Sequence, residues 1–481
     1  MTRIDTFRSP QQSLFQSLVE EVAGKLEAKL ALARGDSAGQ PRMGSGHVAA
    51  DVAQRIAEYQ AAGQPVPGQP PPAVSDPHGD VAATLWTCAK LAAEALAEKT
   101  IGNHAVAREK RDELAFSTCD PHWAEAVTAY LRFIDGRRKG EIPYVPYREM
   151  SDFVIPDLPA DATIALVGDW GTGTADAIEL MRQVAKHQPD VLIHLGDIYY
   201  SGTECEAQKF FLDVVDEVFE RDKNPVAVYN LTGNHDMYSG GTGYYWLLPK
   251  LNPPPLFRPE QAQQASYFAL RTEDGAWQFL GMDTGLHDDD PFTVATDITY
   301  LDPKEELWHL DKVRSFSQAG GRTVLLSHHQ PFSAHEDIGG ANAVKPAGEE
   351  STNPKLMTTY RKLQAAAAEG SGDLAAWFWG HEHNLCVYEP FLGVAKGRCL
   401  GHGAIPAFVD SDPDADDPQI KNPPQLVDDP RNPGKKLSLD VIDHNYAHGF
   451  AILRLDGATK TAKVSYYQET DWSTPMYEEE L

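Results

Sequence analysis

Short apolar runs recur through the middle of the chain, and each one ends at a cluster of polar residues. The runs cover residues 163–167, 191–195, 226–231, 324–326 and 377–379, and their length and composition are typical of buried strands. Helical spacing of apolar residues appears between them, at 175–187 and 206–221. Two more strand patterns, at 450–455 and 462–467, close the chain. This alternation predicts an α/β fold.

The first third of the chain has a different pattern, in which apolar residues follow helical spacing only. The apolar positions Leu14, Leu18, Val22, Leu26 and Leu30 recur every four residues and predict an amphipathic helix. Further helical patterns lie at 48–61, 81–98 and 123–134, and a proline-rich connector at 64–77. We therefore expect a mostly helical N-terminal domain of unknown role over residues 1–155 and a second domain over residues 156–481.

Polar side chains follow five of the predicted strands at the point where each strand ends. They are the carboxylates, amide and imidazoles of Asp169, Asp197, Asn234, His328 and His381. The carboxyl ends of neighbouring parallel strands meet at one rim of a sheet, so these side chains should converge there. A glycine precedes most of them and allows the backbone to turn tightly. Because such groups bind hard or borderline cations, the pattern predicts a metal site at this rim.

The five fragments, read in chain order, resemble the motifs of the calcineurin-like metallophosphoesterases, and within them the purple acid phosphatases. The matching fragments are Asp169-Trp170-Gly171, Gly196-Asp197-Ile198-Tyr199-Tyr200, Gly233-Asn234-His235-Asp236, Ser327-His328-His329 and Gly380-His381-Glu382-His383. The resemblance implies a four-layer α/β/β/α sandwich over the second domain, preceded by the helical one. It also implies hydrolysis of phosphate esters at a dinuclear metal centre.

The same resemblance implies a ligand set for two metals bridged by Asp197. The first metal, expected to be Fe(III), would be held by Asp169, Tyr200 and His383. Gly171 stands where most of the superfamily has a ligating histidine, and Tyr200 would supply the missing ligand as a phenolate. The second metal, a divalent ion of iron, zinc or manganese, would be held by Asn234, His381 and one histidine of the pair that follows.

Two choices within this set stay open at the sequence level. One alignment of the fourth motif makes His329 the ligand, and the other, which also brings Ser333 into register, makes His328 the ligand; we favour His328. His329 would then face the substrate, and His335 is a weaker substrate-side candidate. The alternative to Tyr200 is its neighbour Tyr199.

For catalysis, the resemblance assigns to His235 the contact with the phosphate and protonation of the leaving oxygen. Asp236 would orient the His235 ring and raise its pKa, as general acid catalysis requires. We expect hydrolysis of a phosphomonoester. The alternatives are a phosphodiesterase, acting on a cyclic nucleotide or another diester, and a non-catalytic binding or scaffold protein.

Composition limits the partners of the chain. Its formal net charge of −28 over 481 residues argues against a nucleic-acid partner or an anionic membrane surface. The sequence has neither a long apolar run nor a signal-peptide pattern, and its five cysteines are an odd number, so we expect a cytoplasmic protein with reduced thiols. The expected partner is a small phosphate ester, self-association could use the helical domain, and residues 404–435 form an acidic, Pro/Asp-rich loop.

Overall fold

The computed structural model describes residues 142–289, 297–339, 343–405, 420–442 and 445–481, together with Ala129, Phe133 and Ala407. The chain divides into two units, Met1–Thr128 and Ala129–Leu481, and all described residues belong to the second. The helices predicted between residues 14 and 134 lie outside the described residues, apart from Ala129 and Phe133, which are helical. The helical N-terminal domain therefore stays a prediction, as does the boundary after residue 155.

Fifteen strands are found in the described residues. They are β1 (Val154–Leu158), β2 (Thr163–Val167), β3 (Val191–His194), β4 (Ala227–Asn230), β5 (Phe268–Thr272), β6 (Trp277–Gly281), β7 (Arg322–Leu326), β8 (Leu374–Trp379), β9 (Leu385–Val387), β10 (Gly397–Leu400), β11 (Val441–Ile442), β12 (Asn445–Tyr446), β13 (Gly449–Asp456), β14 (Thr461–Gln468) and β15 (Tyr477–Glu480).

Seven α-helices lie between these strands in the same part of the chain. They are α1 (Ala175–Lys186), α2 (Glu204–Glu206), α3 (Asp213–Phe219), α4 (Asn234–Tyr238), α5 (Thr242–Leu251), α6 (Pro303–Gln318) and α7 (Pro354–Ala367). A π-helical turn, Ala207–Leu212, joins α2 to α3, and Pro259–Gln261 forms a 3₁₀ turn. No described helix has the length and apolar character needed to span a membrane.

The strands form two mixed sheets and one small hairpin. The six-stranded sheet has the order β15-β14-β13-β2-β3-β4, and the seven-stranded sheet has the order β1-β5-β6-β7-β8-β10-β9. Strands β2, β3 and β4 are parallel neighbours, as are β6, β7 and β8. Consequently, the carboxyl ends of three adjacent strands meet at one edge in each sheet.

Alternating side chains of each strand serve two different cores. In β2, Ile164 and Leu166 join the core that also contains Phe279 and Leu326 of the other sheet. The side chain between them, Ala165, packs in a second core with residues of α1 and α5.

A third core joins the outer face of the seven-stranded sheet to α6 and α7. The two sheets are thus stacked, with helices on both outer faces. The predicted α/β fold with two helix-covered sheets is confirmed for the described domain.

Helix starts follow the local sequence. The Thr174 side chain accepts a hydrogen bond from the amide of Ala177 at the start of α1, and Asn353 accepts from Lys355 and Leu356 at the start of α7. Asp302 caps α6, and both α6 and α7 begin with a proline, which suits the first turn because its missing N–H has no partner there.

The core between the sheets predicts a stability difference between two identical substitutions. Leu453 of β13 is fully buried in that core, whereas the Leu307 residue of α6 is 55% exposed. Leu453→Ala should lower the free energy of unfolding by about 2 to 5 kcal/mol, since it leaves a cavity. Leu307→Ala should change it by less than about 0.5 kcal/mol. Urea denaturation of both variants measures this, and equal losses would contradict the stacked-sheet core.

Candidate metal centre

The predicted ligands lie just beyond the carboxyl ends of five strands from both sheets. Asp169 follows β2, Asp197 follows β3, and Asn234 is the first residue of α4 after β4. From the second sheet, His328 follows β7 and His381 follows β8. Stacking of the two sheets brings these five strand ends to one rim of the sandwich, as the sequence pattern predicts.

The backbone at these strand ends turns sharply. Asp169, Asp197 and His381 have left-handed backbone angles, with φ values of 54°, 73° and 71°. Such conformations are uncommon outside glycine and are often found at functional sites. They turn each side chain back towards the rim.

Two of the neighbouring glycines are needed for close approach. A Cβ atom on Gly233 would lie 1.9 Å from Oδ1 of Asp197, and one on Gly380 would lie 2.6 Å from Oδ2 of Asp169. Neither glycine has a positive φ, so the reason for glycine here is the space taken by the carboxylates. Gly196, at φ 107°, is the one that turns the chain as predicted.

A first group of ligand atoms surrounds the hydroxyl of Tyr199. This oxygen lies 2.9 Å from Oδ1 of Asp169, 3.1 Å from Oδ2 of Asp197 and 3.1 Å from Nε2 of His383. Nε2 of His383 is also 3.6 Å from Oδ1 of Asp169. Four potential ligands, two carboxylate oxygens, one phenol and one imidazole, therefore converge.

A second group lies beside the first. Nε2 of His328 is 3.3 Å from Oδ1 of Asn234 and 3.4 Å from Oδ2 of Asp197. Nδ1 of His381 is 3.1 Å from the same Asn234 oxygen and 3.3 Å from Nε2 of His328. Oδ2 of Asp197 belongs to both groups, so one carboxylate oxygen lies where a bridging ligand would be required.

The spacing of these atoms fits two cations. Ligands about 2.0 to 2.2 Å from one ion lie about 3 to 3.5 Å from each other, which is the spacing found in both groups. Burial, together with the neighbouring Asp197 carboxylate, raises the pKa of the Asp169 carboxyl to about 7. A bound cation would lower this pKa by stabilising the ionised form. The buried His/Asp cluster is therefore suited to a dimetal site.

Hydrogen bonds to the protein fix the orientation of two ligands. The Nδ1 of His328 lies 3.0 Å from the carbonyl oxygen of Leu195, to which it donates, and this leaves the Nε2 lone pair facing the cluster. The side-chain nitrogen Nδ2 of Asn234 donates to the Tyr238 hydroxyl at 2.6 Å, and this contact leaves Oδ1 facing the cluster. Sequence reasoning missed Tyr238, although it stands four residues after Asn234 on one face of α4.

Tyr199, and not the predicted Tyr200, places its hydroxyl among the ligand atoms. The segment after Asp197 pairs with the segment after Asp169, because Gly171 and Ile198 form a parallel bridge and the Tyr199 amide donates to the Gly171 carbonyl. Tyr200 contributes its backbone carbonyl to His235 at 2.7 Å. The geometry therefore favours Tyr199 over the predicted Tyr200 as the candidate phenol ligand.

Gly171 itself has a packing reason to lack a side chain. A Cβ atom there would lie 3.0 Å from the Cα of Ile198 and 3.1 Å from the carbonyl oxygen of Asp197. Any side chain would press on the backbone that carries Asp197 and Tyr199. A histidine at this position would therefore require the Asp197–Ile198 backbone to shift by a few tenths of an ångström.

His235 faces the centre through one nitrogen. Its Nδ1 donates to the carbonyl of Tyr200, so Nε2 points to the cluster and lies 4.0 Å from Oδ2 of Asp197. The amide of His235 also donates to Oδ1 of Asp197 at 3.0 Å. Burial lowers the pKa of the His235 imidazole. Its contact with substrate stays a prediction.

The structure does not place Asp236 where it was predicted to act. Its Oδ2 accepts hydrogen bonds from the amides of Asp197 and Gly233, at 3.0 and 2.9 Å. The ring of His235 is oriented instead by the Tyr200 carbonyl. Asp236 thus holds the backbone of two motifs together, and burial raises its pKa to about 8.

Of the histidine pair, His328 has its Nε2 within 3.4 Å of two other candidate ligand atoms, on Asn234 and Asp197. His329 is close by, since ring nitrogens of His328, His329 and His381 all lie within 4.8 Å of one another. The His329 ring lies between the Thr284 hydroxyl, 3.1 Å from Nδ1, and the Asp288 carboxylate, 3.1 Å from Nε2. Both ring nitrogens are occupied, so the geometry favours His328 as the ligand and does not show His329 facing substrate. Thr284 and Asp288 were missed, although they follow β6 as the other site residues follow their strands.

His335 lies near the metal-ligand loops but outside both ligand groups. Its imidazole is close to the Cys386 thiol, and its amide donates to the Ser333 hydroxyl at 2.9 Å. Ser333 in turn donates to Glu382, which stands between His381 and His383. Ser333 therefore links the loop after β7 to the loop after β8, a contact not predicted from the sequence.

Comparison with known proteins finds a family model that matches the part of the chain carrying the candidate site. Residues 162–385, which contain every candidate ligand, match the family model of the calcineurin-like phosphoesterases. No curated protein sequence matches the chain.

Two solved structures are similar to it. GAP50, titled the anchor in the inner membrane complex of Plasmodium, is 12% identical with a TM-score of 0.41, covering 67% of this chain and 88% of that one. A dimetal phosphatase from Danio rerio is 13% identical with a TM-score of 0.36, covering 67% of this chain and 98% of that one.

The position of the phenol predicts opposite behaviour for two adjacent tyrosines. Tyr199→Phe should weaken binding of one metal by at least about tenfold, since it removes one atom of the first ligand group. Tyr200→Phe should leave metal affinity close to that of the unmodified protein, because Tyr200 contributes a carbonyl that phenylalanine retains. Calorimetric titration of metal-free protein with Mn²⁺ compares them. If only Tyr200→Phe lowered the affinity for Mn²⁺, Tyr200 and not Tyr199 would be the ligand.

Proposed function

We propose that this chain, a member of the calcineurin-like metallophosphoesterase superfamily over residues 162–385, is a dinuclear metal-dependent phosphomonoesterase. The observation that carries the proposal is the shared Oδ2 of Asp197, which lies 3.1 Å from the Tyr199 hydroxyl and 3.4 Å from Nε2 of His328. It gives two ligand groups a common carboxylate oxygen, as a pair of metals needs.

Each metal would be held by residues of a different group. Asp169, Tyr199 and His383 would hold the first, Asn234, His328 and His381 the second, and Asp197 both. When bound, such a pair supplies positive charge for the phosphoryl oxygens and a water of lowered pKa. Asp169 and Asp197 are buried, so bulk water screens the interaction of their charges with the metals only weakly.

His235 is proposed as the general acid. The Tyr200 carbonyl holds the proton of Nδ1, so the proton that moves is the one on Nε2, the nitrogen facing the centre. His235 would give this proton to the leaving oxygen of the substrate. Asp197 Oδ2, 4.0 Å from Nε2, favours the protonated ring before the transfer.

We further propose the narrower kinship with the purple acid phosphatases, with Tyr199 in place of Tyr200. The supporting observations are a phenol among the first ligand group and a glycine, Gly171, where a side chain would press on the Asp197–Ile198 backbone. Phenolate is a hard donor that suits Fe(III), so the first metal would be ferric iron and the second a divalent ion of iron, zinc or manganese. The protein would then be coloured by charge transfer from phenolate to iron.

Cytoplasmic location and self-association remain proposals. Cys386 and Cys399 are buried, directly opposite one another in β9 and β10, and free, which suits a reducing compartment. The proposed partner is a small phosphate ester. Residues 1–155, the proposed surface for self-association, lie almost wholly outside the described residues.

Substrate class can be decided with one pair of substrates. The metal-loaded protein should hydrolyse an aryl phosphate monoester faster than the matching bis-aryl diester. Asp197→Ala should abolish both activities and lower the metal content, because it removes the oxygen common to both ligand groups. Faster turnover of the diester would favour the phosphodiesterase alternative. Inactivity of the fully loaded protein on both substrates would favour the non-catalytic one.

The acid role of His235 has a test of its own. His235→Ala should reduce kcat by roughly a hundredfold on an alkyl phosphate, whose leaving oxygen needs a proton. The loss should be much smaller on a nitrophenyl phosphate, whose leaving group departs as an anion. Metal content should be unchanged. Equal losses on both substrates would show that His235 serves another purpose.

A further inference from the structure

We infer that Asp288 is a positioning residue. It fixes the ring of His329, which packs against the two candidate ligand histidines of the second metal. The inference rests on the proposed dinuclear centre and adds a residue to it. Asp288 lies in the segment after β6, is only 2% exposed and has its Oδ2 3.1 Å from Nε2 of His329. Its role follows from three features of this corner of the site.

The first feature is a closed set of hydrogen bonds around His329. The amide of His329 donates to the Thr284 hydroxyl at 3.0 Å, and that hydroxyl lies 3.1 Å from Nδ1 of the same residue. With the ring proton on Nε2, His329 donates to the Asp288 carboxylate, and its Nδ1 accepts from the Thr284 hydroxyl, so both ring nitrogens are paired. This arrangement fixes both the tautomer and the plane of the ring.

The second feature is the contact between His329 and the ligand rings. The His329 ring centroid is 4.6 Å from that of His381 and 4.8 Å from that of His328. A ring fixed at this distance limits rotation of its neighbours, because the interior is closely packed.

The third feature is the difference between the two ligand histidines. His328 is oriented by the Leu195 carbonyl, 3.0 Å from Nδ1. Within the described residues, the hydrogen bonds of the His381 ring go to Asn234 and His328, which are themselves candidate ligands. His381 therefore depends on packing for its orientation, and His329 supplies that packing. Loss of Asp288 should affect the second metal and leave the first one in place.

The segment that carries Asp288 is itself well held. The Asp288 amide donates to the Gly285 carbonyl at 2.9 Å, and the Leu286 amide donates to Oδ1 of Asp283 at 2.9 Å. The side chain of Asp288 is thus presented to His329 from a fixed turn. Its Oδ1 is buried with no hydrogen-bond partner among the described residues, so His329 is the contact described for this carboxylate.

Metal titration of the full-length protein tests the role of Asp288. Metal-free wild type should bind two equivalents of Mn²⁺ in calorimetry. Asp288→Ala should bind the first with unchanged affinity and the second about 10- to 100-fold more weakly, the usual scale for an outer-shell partner. Its kcat should recover at saturating Mn²⁺, which a general structural defect would not allow.

Two further variants and a control make the test specific. Asp288→Asn keeps an acceptor oxygen for Nε2 and should recover most of the second affinity, whereas Thr284→Val removes the Nδ1 partner and should weaken the same equivalent. Asp428→Ala, whose side chain is 80% exposed, should behave as wild type.

Three results would overturn the inference and leave the proposed function standing. They are wild-type affinity of Asp288→Ala for both Mn²⁺ equivalents, equal loss of affinity for both equivalents, and a kcat that excess Mn²⁺ does not restore. A wild type that binds fewer than two equivalents would overturn both.

Discussion

The site depends on one buried oxygen, Oδ2 of Asp197, which is common to both ligand groups. The protein fixes this carboxylate from several directions: its Oδ1 accepts the His235 amide, and the backbone amide of Asp197 donates to Asp236. Residue 233 must be glycine because Oδ1 of Asp197 lies 1.9 Å from the position that a Cβ atom would take there. Burial opposes ionisation of Asp197, but His328 and His235 hold its pKa well below the ordinary value. An ionised bridge in a buried position requires positive charge nearby, and the surrounding donors are those that bind metal cations.

The site also requires that candidate ligands from distant parts of the chain come close together, and the stacked sheets bring them there. Neither sheet carries all the ligands, because Asp169, Asp197 and Asn234 follow strands of one sheet and the histidines follow strands of the other. Packing of the inner faces therefore sets the distance between the two halves of the centre, and the inner core is also a determinant of the site. The segment after β6 carries no candidate ligand, but it contributes to the site through Asp288, which holds His329 in place.

Much of this arrangement could be predicted wherever the local pattern of apolar and polar residues had a single structural interpretation. The apolar run 163–167 became β2, the helical pattern 175–187 became α1, and the polar residues after five strands came together at one rim. Prediction failed where the outcome depended on the backbone path. Tyr199 and Tyr200 differ by one position, and the backbone path after Asp197, where Ile198 pairs with Gly171, could not be read from the sequence. Likewise, the contact of Asp236 with the Asp197 amide and that of Asp288 with His329 join residues 39 and 41 positions apart, so spacing could not identify them.

The most direct test of the shared carboxylate is electron paramagnetic resonance of the Mn²⁺-loaded protein. Two Mn²⁺ ions bridged by Asp197 should give the signal of an exchange-coupled pair at two equivalents per chain. Asp197→Asn should remove that coupling. A wild-type spectrum of isolated Mn²⁺ at two equivalents per chain, or coupling that survives in Asp197→Asn, would contradict the account of the centre given by the structure.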